Sequence, residues 1–494
     1  MRLCGENVNA QCDALCHVVR DASLRAMRQP VFAPFLTLIF GFALSLQAAT
    51  APTPSRPNFV FILIDDMGWA DGECFGSKFY RTPTLNLLAS QGMRFTSAYA
   101  ACGVCSPTRA AIMTGKAPAR LHITDWIPGE GTPKQSRFRV PDWQQHLPLE
   151  EVTIAEALKA RGYATASIGK WHLGGPEFYP QHQGFEVNVA GGHIGHPASY
   201  FWPFGQEGAS HRVPGLAEAG GREGEYLTDR LTDEALKFLE MNRERPFFLY
   251  LAHYAVHAPL MGKQRLIDEY ADRPGANGQS NKVYAAMLQS VDQSVARLLR
   301  KLDELRLAER TVVIFTSDNG GAVHFGKPPA TSNAPLRLGK GYAYEGGLRV
   351  PLLVRIPWLT QPGSVSDTPV CSFDWFPTLL ELAGADKSAS SSAVDGVSLV
   401  PLMRGRSRLP RQELFWHYPH YWNGKGVTPY SVVRSGDWKL IRFYEDDREE
   451  LYNLRDDLGE ENDLAAKNPQ KRRQLSARLD AWLKEVGAQM PVPR

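Results

Sequence analysis

Several apolar runs in this chain stop abruptly at charged or histidine-bearing residues. The first, Phe59-Val-Phe-Ile-Leu-Ile64, ends at Asp65-Asp66. No polar residue alternates within it, so it reads as a strand buried on both faces, as in a parallel sheet covered by helices. Phe247 to Ala252 and Val312 to Phe315 share that character, Ala164 to Ile168 is a weaker version, and Leu352 to Ile356 is a further candidate. Between them, Thr153 to Ala160, Leu227 to Glu240 and Val283 to Leu305 carry amphipathic helical patterns. This alternation predicts βαβ units, and hence an α/β fold with a large, mostly parallel sheet sandwiched by helices.

The four runs that matter stop at polar residues: Asp65 and Asp66, Lys170 and His172, His253 and His257, Asp318 and Asn319. In open α/β sheets ligands sit beyond the carboxyl ends of the strands. If one sheet holds all four strands, chain-distant residues converge on one crevice. After about Gly396 the pattern changes. Glu413 to Trp422 is aromatic-rich, Tyr430 to Tyr444 alternates like a hairpin around Ser435-Gly436, and a charged helical pattern runs from Pro469 to Val486. The expected organisation is a main domain over 58–396 and a smaller α+β subdomain over 397–494. Ser388 to Ser392 reads as a Ser-rich loop.

The N-terminus reads as an export signal over 1–50, followed by a Pro-containing linker over 51–57. Arg20, Arg25 and Arg28 precede an apolar run from Val31 to Leu46, and Ala48 and Ala49 offer a cleavage site. The run is short for a membrane span, so the expectation is an exported protein, periplasmic or extracellular, with no stable membrane anchor after cleavage. Met27 offers an alternative start. A net charge of +3 argues against a nucleic-acid surface built on bulk charge. Of the seven cysteines, Cys74, Cys102, Cys105 and Cys371 belong to the mature part, too few and too irregular for a disulfide framework. Cys102-Gly-Val-Cys105 has the spacing of a redox pair, but Pro107 and Arg109 favour another reading.

Cys105-Ser-Pro107-Thr-Arg109 continues through Ala110-Ala-Ile-Met113-Thr114-Gly115, giving C-x-P-x-R-x-x-x-M-T-G. Asp65-Asp66-Met67-Gly68, Gly169-Lys170-Trp171-His172-Leu173-Gly174, His257-Ala258-Pro259, Ser317-Asp318-Asn319-Gly320, Gly339-Lys340 and Glu345-Gly346-Gly347 accompany it. In content and order these segments resemble the formylglycine-dependent sulfatases, of arylsulfatase and N-acetylgalactosamine sulfatase type, which share an alkaline phosphatase-like fold. The resemblance runs from about Pro57 to the C-terminus.

The resemblance implies that a maturation enzyme converts Cys105 to Cα-formylglycine. Its hydrate would attack sulfur with one hydroxyl and expel sulfate by losing a proton from the other. Pro107 suits the first turn of a helix, whose free N–H groups favour an anion. Arg109, one turn on from Cys105, would steady the diol. Asp65, Asp66, Asp318 and Asn319, with the group at Cys105, form the implied metal cage. Oxygen donors without thiolate select a hard cation, calcium before magnesium. Asp318 could also take the attacking proton. Lys170 and Lys340 would bind sulfate oxygens, His257 with Lys340 would protonate the leaving oxygen, and His172 would remove the proton that expels sulfate.

For the substrate, His193, His196, Tyr200, Phe201 and Trp202 form one polar-aromatic segment, with Trp126 and the stretch from His417 to Trp422 as others. Aromatic faces beside donors suit sugar rings as well as plain packing. His193 is the sulfate or hydroxyl contact that the resemblance suggests. The expected partner is a sulfated carbohydrate of galactose or N-acetylgalactosamine type. The alternatives are an arylsulfatase of broad specificity, a phosphonate or phosphate monoester hydrolase on the same fold, and a non-catalytic sulfated-glycan binding protein.

Overall fold

In the computed structural model, residues 54–385 and 394–494 are described. The export signal, the first three residues of the linker and the Ser-rich loop lie outside them. The central sheet uses β1 (Asn58–Ile64), β2 (Met93–Phe95), β3 (Ala164–Gly169), β4 (Val187–Val189), β5 (Phe247–Ala252), β6 (Thr311–Ser317), β7 (Leu352–Arg355) and β8 (Ser364–Ser366). These eight strands lie in the order β8-β2-β7-β6-β1-β5-β3-β4. The sheet is mostly parallel, as expected. The exception is β7, which is antiparallel to both β6 and β2.

The continuous apolar runs are explained by two-sided burial. Val60, Ile62 and Ile64 pack on one face against Leu85 and Leu88 of α1 (Pro83–Gln91), Leu231 and Phe238 of α4 (Leu227–Met241) and Val291 of α5 (Lys282–Glu304). Phe59, Phe61 and Leu63 face the other way. They meet Ile112 and Met113 of α2 (Cys105–Thr114), Leu158 of α3 (Ile154–Lys159) and Trp375 and Phe376 of α6 (Trp375–Leu382). Each such side chain contributes about 1.5–3 kcal/mol by leaving water. A capping box between Thr153 and Glu156 starts α3 where the sequence places it.

Register brings the polar strand ends together. Ile64 pairs with Ser317, so Asp65 and Asp318 emerge side by side; Leu63 and Gly169 both pair with Ala252 of β5, so Lys170 emerges at the same edge.

Beyond the sheet, β9 (Glu413–Tyr418), β10 (Tyr430–Ser435), β11 (Trp438–Phe443) and β12 (Arg448–Asn453) form an antiparallel meander. Leu475, Leu479 and Leu483 of α7 (Pro469–Glu485) cover one face through Val433, Leu440 and Leu451. The other face, with Trp416, Tyr418 and Val432, packs on Tyr99, Cys102 and Val104, the segment that leads into Cys105. Trp416 Nε1 donates to the Ala100 carbonyl at 2.8 Å. A buried ion cluster links the two parts further. Lys439 reaches Glu345 at 3.0 Å and Glu460 at 2.8 Å, and Arg349 reaches Glu345 at 2.7 Å. The Glu345-Gly-Gly motif thus anchors the meander to the loop that carries Lys340. Among the described residues, no helix is long and apolar enough to cross a membrane.

Candidate active site

Cys105 is the first residue of α2, behind an extended Val104. Thr108 Oγ1 accepts from the Cys102 N–H at 3.0 Å and folds the preceding loop over the helix start. The thiol is buried, and that burial pushes its pKa up despite Lys170 and Lys340, with Asp65 and Asp318 adding to the rise. An unmodified thiol here is a poor source of thiolate. Cys102 and Cys105 are both free, so the redox-pair spacing has no disulfide behind it.

Around Cys105 three buried carboxylates meet three buried cations. Lys170 Nζ lies 2.6 Å from Asp65 Oδ2, and Lys340 Nζ 2.8 Å from Asp66 Oδ1. Arg109 donates to Asp318 Oδ2 from Nε at 2.9 Å and to the Lys170 carbonyl from Nη1 at 2.8 Å, while its Nη2 forms an ion pair with Asp318 Oδ2 at 2.7 Å. Burial, together with Asp318 and Asp66, pushes Asp65 up to about 8 against the pull of Lys170. Burial acts on Asp66 too, but Lys340, His257 and Lys170 hold it well below the usual carboxylate range. Asp66 sits at φ 62°, a left-handed turn that directs two successive carboxylates into one site.

The donor set fits a hard cation. Asn319 Nδ2 donates to Asp66 Oδ1 at 2.8 Å and to the Gly320 carbonyl, which assigns its amide and leaves Oδ1 as a bare acceptor. Asn319 Oδ1 and Asp65 Oδ1 are both buried without a hydrogen-bond partner. Asp65, Asp318 and Cys105 each place a ligand atom within 4.8 Å of the others. Orphaned oxygens beside carboxylates are what calcium or magnesium takes up.

The two histidines differ in which nitrogen is free. His172 Nε2 donates to the Ile127 carbonyl at 2.6 Å, leaving Nδ1 buried and without a partner. Burial, then Lys170, keeps the ring neutral, so Nδ1 is an available base. Gly195 backs the ring, where an added Cβ would come within 2.8 Å of it. His257 Nδ1 donates to the Ala258 carbonyl at 2.8 Å, and its Nε2 stands 3.6 Å from Asp66 Oδ2. Tyr200, from the expected sugar-contacting segment, is instead buried, and its hydroxyl holds the His257 loop through the Tyr254 and His257 carbonyls.

Ser106 is a positioning residue that sequence reading missed. Its hydroxyl donates to the His172 carbonyl at 2.9 Å and accepts from the Ile127 N–H at 3.1 Å, closing a ring with the His172–Ile127 bond. Ser106→Ala leaves two buried backbone groups unpaired, a cost of about 1–3 kcal/mol. We expect a lower melting temperature and a kcat about tenfold down with KM little changed, a fraction of the 10²–10⁴ that a placed base supplies. Steady-state kinetics on p-nitrophenyl sulfate and thermal denaturation check this.

Cys105, His172, His257 and Lys340 open onto a cleft of about 870 Å³. Its walls include Trp126, His193, His196 and Trp422 from the segments expected to meet a sugar. Phe201 and Trp202 are not on it, and neither is His417, which is buried between Ser431 and the Gln489 carbonyl. His193 is exposed at the cleft, bonded through Nδ1 to the Tyr179 hydroxyl at 2.8 Å. Lys170 lies behind the cleft, wholly buried. His211, Phe325 and Lys425 also line the cleft; they sit in loops without periodicity, so the sequence carries no signal for them.

Fold and site together define a hydrolase for an anionic ester. The chain belongs to the sulfatase family, whose sequence profile matches residues 57–385. A second profile, that of the C-terminal region of N-sulphoglucosamine sulphohydrolase, matches residues 338–489. A sulfatase of Formosa agariphila is 32% identical over 524 residues, spanning 90% of this chain and 93% of that one. The N-acetylgalactosamine-6-sulfatase of Canis lupus familiaris is 35% identical, spanning 76% and 70%. The crystal structure of Ps i-CgsB in complex with k-i-k-neocarrahexaose matches with a TM-score of 0.72 at 28% identity, over 87% of this chain and 93% of that one. The chain is a sulfuric ester hydrolase on the alkaline phosphatase-like fold.

Proposed function

We propose that this sulfatase is an exported, calcium-dependent enzyme that releases inorganic sulfate from a sulfated carbohydrate of galactose or N-acetylgalactosamine type, with Cys105 in its formylglycine form. The observation that carries the reading is the junction of an acidic, oxygen-rich cage with a cleft lined by Cys105, His172, His257 and Lys340 together with Trp126 and Trp422. The similarity to N-acetylgalactosamine-6-sulfatase supports the sugar class.

Asp65, Asp66, Asp318 and Asn319 would hold the calcium ion, which when bound supplies positive charge to a sulfate oxygen. Lys170 and Lys340 neutralise the same carboxylates in the arrangement described. They are the donors for sulfate oxygens once a divalent ion takes over that neutralisation. Against burial, Asp66 and Cys105 hold the Lys340 ammonium above its usual range, so it stays charged while facing the cleft. Lys340 with His257 protonates the departing alcohol, the proton coming from the Lys340 ammonium because burial keeps the His257 ring neutral with its one proton on Nδ1, and His172 accepts one at Nδ1 when sulfate leaves.

Inorganic sulfate should be released from 6-sulfated or 4-sulfated N-acetylgalactosamine or galactose, and the release should stop on chelation and return with calcium. Mass spectrometry of the peptide spanning Cys105 should show a loss of about 18 Da, the thiol having been oxidised to an aldehyde. Confirmed aldehyde without sulfate release from any sulfated sugar would sink the carbohydrate reading. Faster cleavage of a matched phosphate ester would favour the phosphoryl hydrolase instead.

A further inference from the structure

Charges are paired off at the floor of the cleft and stand unpaired on its wall. Asp65, Asp66 and Asp318 are matched by Lys170, Lys340 and Arg109. The wall adds one cation, Lys425, and one carboxylate, Glu130. Glu130 is engaged elsewhere, its Oε2 accepting the Asn423 N–H at 2.6 Å. Among the described residues no carboxylate pairs with the Lys425 ammonium group.

Lys425 does not sit on a loose loop. Its turn is closed by a bridge between Trp422 and Val427, with the Trp422 N–H donating to Val427 O at 3.1 Å and the Lys425 N–H to Trp422 O at 3.1 Å. Gly424 and Gly426, at φ 71° and 72°, allow that tight path. The Tyr342 hydroxyl donates to the Lys425 carbonyl. The half-buried side chain lies along Phe325, with Nζ 5.1 Å from the ring centroid. Trp422 joins the floor to the wall, its ring lying 6.2 Å from that of Phe325 and 5.9 Å from Lys340 Nζ. His324, edge-on to Trp422 at 4.7 Å, is pushed down to about 4 by burial and then by Lys425, so it adds no charge near neutral pH. An ammonium without an ion-pair partner, held half out of water on an aromatic wall, gains a partner when an anion reaches it.

We propose that Lys425 forms a second anion subsite, taking a sulfate or carboxylate group borne by the substrate beyond the ester that is cleaved. This rests on the sulfated-carbohydrate reading and narrows it to sugars with at least two negative charges. The cleft, near the upper end of small-molecule sites in volume, has room for such a ligand.

Binding decides the matter without turnover. In a Cys105→Ala background, calorimetric titration compares N-acetylgalactosamine 6-sulfate, its 4,6-disulfate, and the 6-sulfate linked to glucuronate. The dianionic probes should bind more tightly than the monosulfate. Lys425→Met should weaken one or both of them about tenfold while moving the monosulfate less than twofold, and Lys425→Arg should restore the preference. Which probe responds tells sulfate from carboxylate. No preference for dianionic probes, or equal loss on all three, overturns the subsite. Failure of the unsubstituted enzyme to release sulfate from any of these sugars would instead overturn the carbohydrate reading, whatever the titrations show.

Discussion

Cys105→Ser is expected to keep the fold and lose steady turnover. Serine is smaller than cysteine at a position that is 3% exposed, and it is a tolerated residue at a helix start. The hydrated aldehyde proposed at Cys105 would carry two hydroxyls, one to attack and one whose proton can leave to expel sulfate. Serine has only the first. Attack would leave a serine sulfate ester with no second O–H for His172 Nδ1 to deprotonate. The variant should therefore show a burst no larger than the enzyme concentration, then a steady rate lower by a factor on the order of 10³ or more, the scale seen when a covalent catalyst is removed. The peptide should gain about 80 Da, the mass of SO₃, through covalent trapping. Cys105→Ala should give neither burst nor adduct. Steady turnover by the serine variant within tenfold of the unsubstituted enzyme would refute the two-hydroxyl requirement.

Much of the framework was legible because two-sided burial forbids alternation. Phe59 to Ile64 reads apolar throughout since alternate residues face different helix layers, and the run can stop only where the strand leaves the sheet. The polar stops at Asp65, Lys170 and Asp318 therefore marked one edge, and parallel register placed them together. Direction was less legible. Leu352 to Arg355 has the same composition as its neighbours yet runs antiparallel, because burial selects residue type without selecting strand polarity. The wall of the cleft was the least legible part. Trp126 and Trp422 stand on it while Phe201 and Trp202 do not, and an aromatic residue in a loop has no period that reveals which way it faces. Ser106 escaped for another reason: its partners, His172 and Ile127, lie 66 and 21 residues away.

Arg109 offers the sharpest separation of support from chemistry. The signature places it one turn from Cys105, which suggested a contact with the nucleophile. In the structure its guanidinium is fully buried and spans Asp318, the Lys170 carbonyl and, at 3.9 Å, Asp65. It fixes three strand ends against one another through a fork that lysine cannot reproduce. Arg109→Met leaves the Asp318 carboxylate buried without its partner, which costs about 3–5 kcal/mol. Arg109→Lys restores the charge but not the fork and should recover only part of that stability. The informative variant is Arg109→Met with Asp318→Asn. Removing both charges takes away the unpaired buried carboxylate, so its denaturation midpoint should rise well above that of Arg109→Met. Sulfatase activity should stay absent, because the proposed metal cage has lost one of its carboxylates. Activity and stability returning together in the double variant would mean that Asp318 has no role beyond pairing. An Arg109→Met protein as stable as the unsubstituted one would show that the signature arginine is not the brace between β1, β3 and β6.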